Sequence, residues 1–121
     1  MSSANEASLA LALVVLFTLL FAPPSEPATK SIKSPVFAVL TGEKYGGCMI
    51  LLGTIPTNVL DCPQQWVSLD CKGILGNRIS GNNNLSVART AMLTNSKLSV
   101  TVDDSRKISG FCYASQLIQY K

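Results

Sequence analysis

The sequence contains no histidine, and after residue 28 its only glutamate is Glu43. Histidine is the side chain that most readily exchanges protons near neutral pH, so acid–base catalysis would depend on a few aspartates. Asp103 and Asp104 are adjacent, but neighbours on a strand point to opposite faces, whereas the carboxyl groups of a glycosidase converge. We predict instead that these aspartates and Ser105 cap a hairpin turn at residues 104–107. The composition therefore argues against an enzyme.

Motifs for metals, nucleotides and nucleic acids are also missing. The four cysteines form no C-x-x-C pair of the kind that structural zinc sites use, and calcium would require more carboxylates. No glycine-rich segment contains G-K-[ST] or G-x-G-x-x-G, the patterns of nucleotide-binding loops. The ten lysines and arginines are scattered rather than gathered in a basic block. We therefore expect no cofactor, no metal ion and no nucleic-acid partner.

The longest apolar run, residues 9–20, is shorter than the about twenty residues that a membrane-spanning helix needs. Its length suits the apolar core of a signal peptide, and prolines and polar residues follow it. Cleavage after Ala22, Ser25 or Ala28 remains open, and we assign residues 1–28 to the signal peptide. The expectation is a secreted, extracellular protein without a stable membrane span.

Cleavage near Ala28 would leave ten basic and five acidic residues, a net charge of +5. A positive surface favours acidic partners, such as sulfated or sialylated glycans. Secretion also favours using Cys48, Cys62, Cys71 and Cys112 in two disulfides, because a domain of this size gains from cross-links. The tripeptide Asn84-Leu85-Ser86 predicts N-glycosylation at Asn84.

The apolar patterns predict five strands and one helix. A polar, flexible lead-in occupies residues 29–35, and a domain follows over residues 36–121. Alternating or continuous apolar runs predict strands at residues 36–41, 48–52, 66–71, 97–103 and 110–120, the last bent near Ser115. Residues 73–84 have the composition of a loop. The helical spacing of Leu85, Ala88, Ala91, Met92 and Leu93 predicts a helix that begins at Asn83 or Asn84.

The resulting order, β-β-β-α-β-β, is that of the OB-fold, a small five-stranded barrel whose helix plugs one end. We therefore predict a mainly β, disulfide-stapled, OB-like barrel. In that fold the third and fifth strands lie side by side, which would place Cys71 next to Cys112. The remaining pair would be Cys48 with Cys62.

The element order, together with residues 66–71, 102–105 and 110–113, resembles the OB-fold B subunits of pentameric bacterial toxins of the subtilase-cytotoxin and pertussis-toxin types. That resemblance implies a lectin-like module that binds host glycans on an exposed barrel face. It also implies a homo-oligomer, because those subunits form five-membered rings. The chain differs from them in its four cysteines and in the long asparagine-rich segment before the helix.

Five residues are candidates for ligand binding. Lys44 and Tyr45 lie in the turn after the first strand, and Arg106 and Lys107 lie in the turn before the last, which an OB-like barrel would bring to one surface. The charges would attract an acidic glycan or a cell-surface receptor, and Tyr45 would offer a flat face to a sugar ring. Trp66 is either a sugar platform or a core residue. The alternative function is a structural component of an extracellular matrix or mineral layer, or a secreted defence or venom polypeptide.

Overall fold

The computed structural model describes residues 29–56, 59–62 and 64–120. The predicted signal peptide, residues 1–28, lies outside the described residues. The elements are β1 (Thr29–Thr41), a 3-10 turn (Tyr45–Gly47), β2 (Cys48–Leu52), β3 (Trp66–Ser68), α1 (Arg78–Thr94), β4 (Lys97–Ile108) and β5 (Phe111–Gln119). The strands form a closed barrel in the order β1-β2-β3-β5-β4. Pairing is parallel between β3 and β5 and antiparallel elsewhere. The predicted fold, a mainly β OB-like barrel with one helix, is confirmed.

Strand β1 is longer than predicted and pairs with two neighbours. Residues 29–35 pair with β4, whereas the part from Val36 to Thr41 pairs with β2. The prediction of a flexible lead-in over residues 29–35 is therefore wrong. The segment alternates as a half-buried strand does, with Ile32 and Ser34 buried and Lys33 exposed. Its outward residues are polar and one of its inward residues is a serine, so its apolar signal is too weak to identify a strand.

Helix α1 begins at Arg78, inside the segment predicted as a loop. Asn77, rather than Asn83 or Asn84, is the N-terminal cap, and its Oδ1 accepts hydrogen bonds from the backbone N–H groups of Ile79 and Ser80. Because glycine and asparagine have low helix propensity, the sequence did not predict this first part of the helix.

Two of these unfavourable residues have tertiary roles. Gly81 is buried against the chain before the helix, where a β-carbon would come within 2.4 Å of the Asp70 carbonyl oxygen. The Asn82 side chain donates to the Cys71 carbonyl at 3.0 Å and to the Arg78 carbonyl at 2.8 Å. Packing against the chain around Asp70 therefore outweighs local propensity.

The core lies between the barrel wall and one face of α1. The helix contributes Leu85, Ala88 and Ala91 to it, as predicted, and Met92 packs against its edge. Leu93, expected beside them, is 82% exposed. The most deeply buried large side chains come from β2, β3, β4 and the segments beside them: Ile50, Leu52, Leu60, Val67, Leu69, Leu98, Val100 and Val102.

The β4–β5 hairpin turns at Ser109 and Gly110, which have φ values of +53° and +84°. Positive φ at both central residues is the mark of a type I′ turn, whose twist matches that of the flanking strands. The turn predicted at residues 104–107 is therefore wrong, because β4 continues to Ile108.

Residues 104–106 form a bulge within β4 instead. Asp103 pairs with Tyr113 and Lys107 with Cys112, so three residues of β4 lie between two consecutive pairs. The Asp103 carboxylate accepts from the Ser105 backbone N–H at 2.9 Å and from its hydroxyl at 2.6 Å. The predicted capping by Asp103 thus occurs, but it shapes a bulge. The β4–β5 register shifts at Ser115, the position at which a bend of the last strand was predicted.

The cysteines pair as Cys48–Cys71 and Cys62–Cys112, with Cα–Cα distances of 5.6 and 5.7 Å. The predicted pairing, Cys71 with Cys112 and Cys48 with Cys62, is wrong. Strand β3 does pair with β5, at Ser68, but it ends there and the chain turns away before Cys71.

The turn occurs at Asp70, whose φ is +60°. It returns the chain to the start of β2, where the Lys72 N–H donates to the Gly46 carbonyl at 2.9 Å and Cys71 lies beside Cys48. Cys62, from the connection between β2 and β3, is bonded to Cys112 of β5.

Candidate functional site

The turn between β1 and β2 contacts the β4–β5 hairpin directly. The ring of Tyr45 stands edge-on to that of Phe111, with centroids 5.4 Å apart and planes at 89°. A β-carbon on Gly46 would come within 2.9 Å of Ile108 Cδ1, so the backbone also packs closely here. We call the residues predicted to bind ligand at this end, Lys44, Tyr45, Arg106 and Lys107, the two-turn surface.

Tyr45 is held in an unusual backbone conformation. Its φ is +59°, in the left-handed region that a bulky side chain seldom adopts. The Ser68 hydroxyl donates to the Tyr45 carbonyl at 2.8 Å, and the Gly47 N–H donates to the Lys44 carbonyl at 3.0 Å. These bonds and the ring contact hold a half-buried aromatic side chain at the surface. Such strain occurs often at functional sites.

The other members of the two-turn surface differ in how their charges are used. Lys44 is exposed. Lys107 forms an ion pair with Asp61, with Nζ and Oδ2 3.1 Å apart. Arg106 donates to the Leu75 carbonyl, and its guanidinium carbon lies 4.8 Å from the ring centroid of Tyr113. Lys107 and Arg106 lie on β4 rather than in a turn, and Arg106 fastens the loop before α1 to the barrel.

Trp66 and Asn84 fall outside the two-turn surface as defined. Trp66 begins β3, pairs with Leu51 and is half-buried, so neither an exposed platform nor a fully buried core position describes it. Asn84 is half-buried within α1 and precedes the buried Leu85. Asn84 therefore lies within the helix and not at its predicted start, and its glycosylation stays a prediction.

The structure also contains a polar depression that the sequence did not predict. It has a volume of about 420 Å³ and lies where β1, the C-terminal end of α1, the start of β4 and the end of β5 meet. We call it the Tyr120 pocket, after its most prominent residue. Its lining is Lys33, Asn95, Ser96, Lys97 and Tyr120.

Tertiary structure alone assembles the Tyr120 pocket. Lys33 comes from β1 and Lys97 from β4, which are far apart in sequence and adjacent in the sheet. The Lys33 ammonium lies 4.8 Å from the ring centroid of Tyr120, and Tyr120 is 46% exposed. No local motif links these residues, so only a correct β1–β4 pairing could have identified the pocket.

Within residues 29–56, 59–62 and 64–120, no three His, Cys, Asp or Glu side chains cluster as a metal site would. No helix in this part of the chain is long and apolar enough to cross a membrane.

No protein-family model, curated protein or solved structure matches the chain. Function has therefore to be inferred from the geometry of the two surfaces.

Proposed function

We propose that the protein is a secreted, non-enzymatic, lectin-like module that binds acidic glycans through the two-turn surface. The contact between Tyr45 and Phe111 carries the proposal, because it joins the β1–β2 turn to the β4–β5 hairpin. OB-fold proteins commonly bind oligosaccharides and oligonucleotides with these two connections and the adjoining strands.

Tyr45 and Lys44 are the principal contacts in this proposal. The edge-on packing on Phe111 fixes the Tyr45 ring, so a sugar stacking on it orders few additional bonds. Lys44 adds an exposed positive charge next to the ring. Lys107 can exchange its carboxylate partner for a ligand anion, because Asp61 is 87% exposed and such pairs are weak. Arg106 contributes its charge to the same surface while its guanidinium contacts the Leu75 carbonyl and the ring of Tyr113.

Two further features of the proposal rest on other observations. Both disulfides engage all four cysteines, and such bonds persist in oxidising compartments, which favours an extracellular location. The resemblance to toxin B subunits favours a homo-oligomer, which would present several two-turn surfaces to a cell surface and raise avidity.

The test is a binding assay of the secreted, oxidised protein on acidic and neutral glycans, at low and physiological salt. We expect Tyr45→Ala to weaken binding at both salt concentrations and Lys44→Ala to weaken it mainly at low salt. Arg89→Ala, on the exposed side of α1, is the matched charge control and should bind as the wild type does. Wild-type protein that binds no acidic glycan, or binding indifferent to Tyr45→Ala, would refute the proposal.

A further inference from the structure

We infer that the Tyr120 pocket is a second carbohydrate subsite, which binds an acidic sugar unit beside Lys33 and Lys97 and a neutral unit in a second depression that shares Tyr120 with it. The anion preference rests on the charges of the pocket alone. That a sugar carries the anion rests on the proposed function.

The two lysines lie on one outward face of the sheet. Lys33 pairs with Ser99 across β1 and β4, and Lys97 is two residues from Ser99, so all three point the same way. Diagonal neighbours of this kind lie about 7–8 Å apart, within reach of long side chains. Two ammonium groups on such neighbouring side chains repel each other, and one anion between them would relieve the repulsion.

Among the residues that the structure describes, no Asp or Glu side chain lines the pocket or the depression that shares Tyr120 with it. The acidic residue of β4 closest in sequence to Lys97 is Asp103, six residues further along, which corresponds to about 20 Å of extended strand. The two-turn surface, by contrast, has Glu43, Asp61 and Asp104 on or near it. The Tyr120 pocket is thus the more positive of the two surfaces.

Two depressions of different character share Tyr120 and Ser96 in their linings. The first is the pocket of about 420 Å³, which contains the two lysines. The second is a depression of about 340 Å³ that Thr94, Ser96 and Gln119 line together with Tyr120. Both volumes fall within the range of small-ligand sites. Hydroxyl and amide groups suit a neutral sugar, whereas ammonium groups suit a carboxylate or a sulfate ester.

A competing explanation for the position of the lysines is that they neutralise the C-terminal end of α1. Helix C-termini carry partial negative charge and attract cations, so Lys97 could serve the helix alone. However, the backbone N–H groups of Asn95 and Ser96 both donate to the Ala91 carbonyl, so part of that end is already capped. The Lys33 ammonium also lies over the ring of Tyr120, at 4.8 Å from its centroid.

The inference can be tested by NMR titration of the isotope-labelled, secreted protein. The probes are an unsulfated chondroitin tetrasaccharide, its sulfated counterpart, a neutral chitin tetrasaccharide and inorganic sulfate. We expect an acidic tetrasaccharide to shift the amide signals of Ser96, Lys97 and Tyr120, and the comparison of the two chondroitins to identify carboxylate or sulfate as the anion. The neutral tetrasaccharide lacks the anion that the lysines bind, so at the same concentration it should shift these signals much less.

The variants separate this site from the two-turn surface. Lys33→Gln together with Lys97→Gln should weaken binding in the pocket about tenfold, and Tyr120→Ala should weaken it at every salt concentration. Lys30→Gln, an equally exposed lysine of β1 outside the pocket lining, is the matched control. Tyr45→Ala should leave the pocket shifts intact, so the two proposals can fail separately.

Three outcomes would overturn the inference. The first is that acidic tetrasaccharides shift only the two-turn surface. The second is that the double lysine variant binds in the pocket as Lys30→Gln does. The third is that sulfate alone binds the pocket as tightly as the tetrasaccharides, which would make the pocket an anion site to which a sugar ring contributes nothing.

Discussion

The backbones of Asp70 and Gly81 touch: a β-carbon on Gly81 would lie 2.4 Å from the Asp70 carbonyl oxygen. This contact seats the first part of α1 against the chain that leaves β3. It also places a glycine where helix propensity alone would favour alanine.

Gly81→Ala should therefore destabilise the domain although it improves the local helix propensity. The gain of about 1 kcal/mol in propensity is outweighed by an overlap with backbone atoms that cannot rotate away, and we expect a net loss of about 2 kcal/mol. Urea unfolding of the oxidised protein measures it. The control is Asn83→Ala, at an exposed position of the same helix, which should be neutral or slightly stabilising. Equal stability of the two variants would contradict the contact.

Asp70→Ala should be among the most destabilising single substitutions. The Asp70 side chain accepts hydrogen bonds from the backbone N–H groups of Ile74, Leu75 and Gly76 at 2.7–2.8 Å, and the residue is 1% exposed. These three hydrogen bonds are part-buried, and leaving such a donor unpaired costs about 1 kcal/mol or more, so we expect a loss of about 3 kcal/mol. Asp61→Asn, which removes an exposed charge, should change the free energy of unfolding by less than about 1 kcal/mol.

Peptide mapping without reduction should recover Cys48 joined to Cys71 and Cys62 joined to Cys112. The bridges span 23 and 50 residues, so loop entropy predicts losses of about 3 and about 4 kcal/mol when each pair is replaced by serine. The Cys62–Cys112 replacement should be the less stable of the two in urea. Recovery of a Cys71–Cys112 peptide would reject the observed turn at Asp70.

Tyr45→Gly should separate stability from binding on the two-turn surface. Glycine relieves the positive φ of Tyr45 while losing the ring contact with Phe111, and the two effects are each about 1 kcal/mol. We therefore expect a free energy of unfolding within about 1 kcal/mol of wild type, and glycan binding about tenfold weaker. Phe111→Leu, which keeps an apolar contact, is the companion variant. Unchanged binding in a stable Tyr45→Gly protein would argue against the proposed site.

Arg106→Ala should lower the stability of the domain more than it weakens glycan binding. The guanidinium contacts the Leu75 carbonyl and the ring of Tyr113, so its loss should cost about 1–2 kcal/mol in thermal or urea unfolding. Lys44→Ala, at an exposed turn position, should leave stability within about 0.5 kcal/mol of wild type. A larger loss of stability in Lys44→Ala than in Arg106→Ala would mean that Arg106 is an ordinary surface residue, as its sequence context suggested.

The local sequence pattern was sufficient to predict those elements whose apolar residues alone identify them. Strand β2 has the predicted bounds, Cys48–Leu52, because a continuous apolar run is limited by glycine on both sides. The buried face of α1, with Leu85, Ala88 and Ala91, follows from helical spacing. The element order was enough to predict the barrel, since few topologies accommodate five strands with a helix before the fourth.

Tertiary contacts decided the features that local pattern assigned wrongly. Residues 29–35 are a strand because β4 supplies their partners, although their composition is polar. The disulfide partners follow from the positive φ of Asp70, which depends on a loop and a helix packed around that residue. In each case the stabilising groups lie elsewhere in the chain, beyond the reach of any sequence window.

The candidate sites also differ in how much of each could be identified from the sequence. Residue types and turn positions identified Lys44 and Tyr45 from the sequence, because an aromatic and a charge in a glycine turn are a local pattern. The contact of Tyr45 with Phe111 forms only in the closed barrel. The same is true of the hydrogen bond from Arg106 to the Leu75 carbonyl, which the sequence did not predict. The Tyr120 pocket depended on it entirely, because Lys33 and Lys97 become neighbours only when β1 hydrogen-bonds to β4, and charge acts through space rather than along the chain.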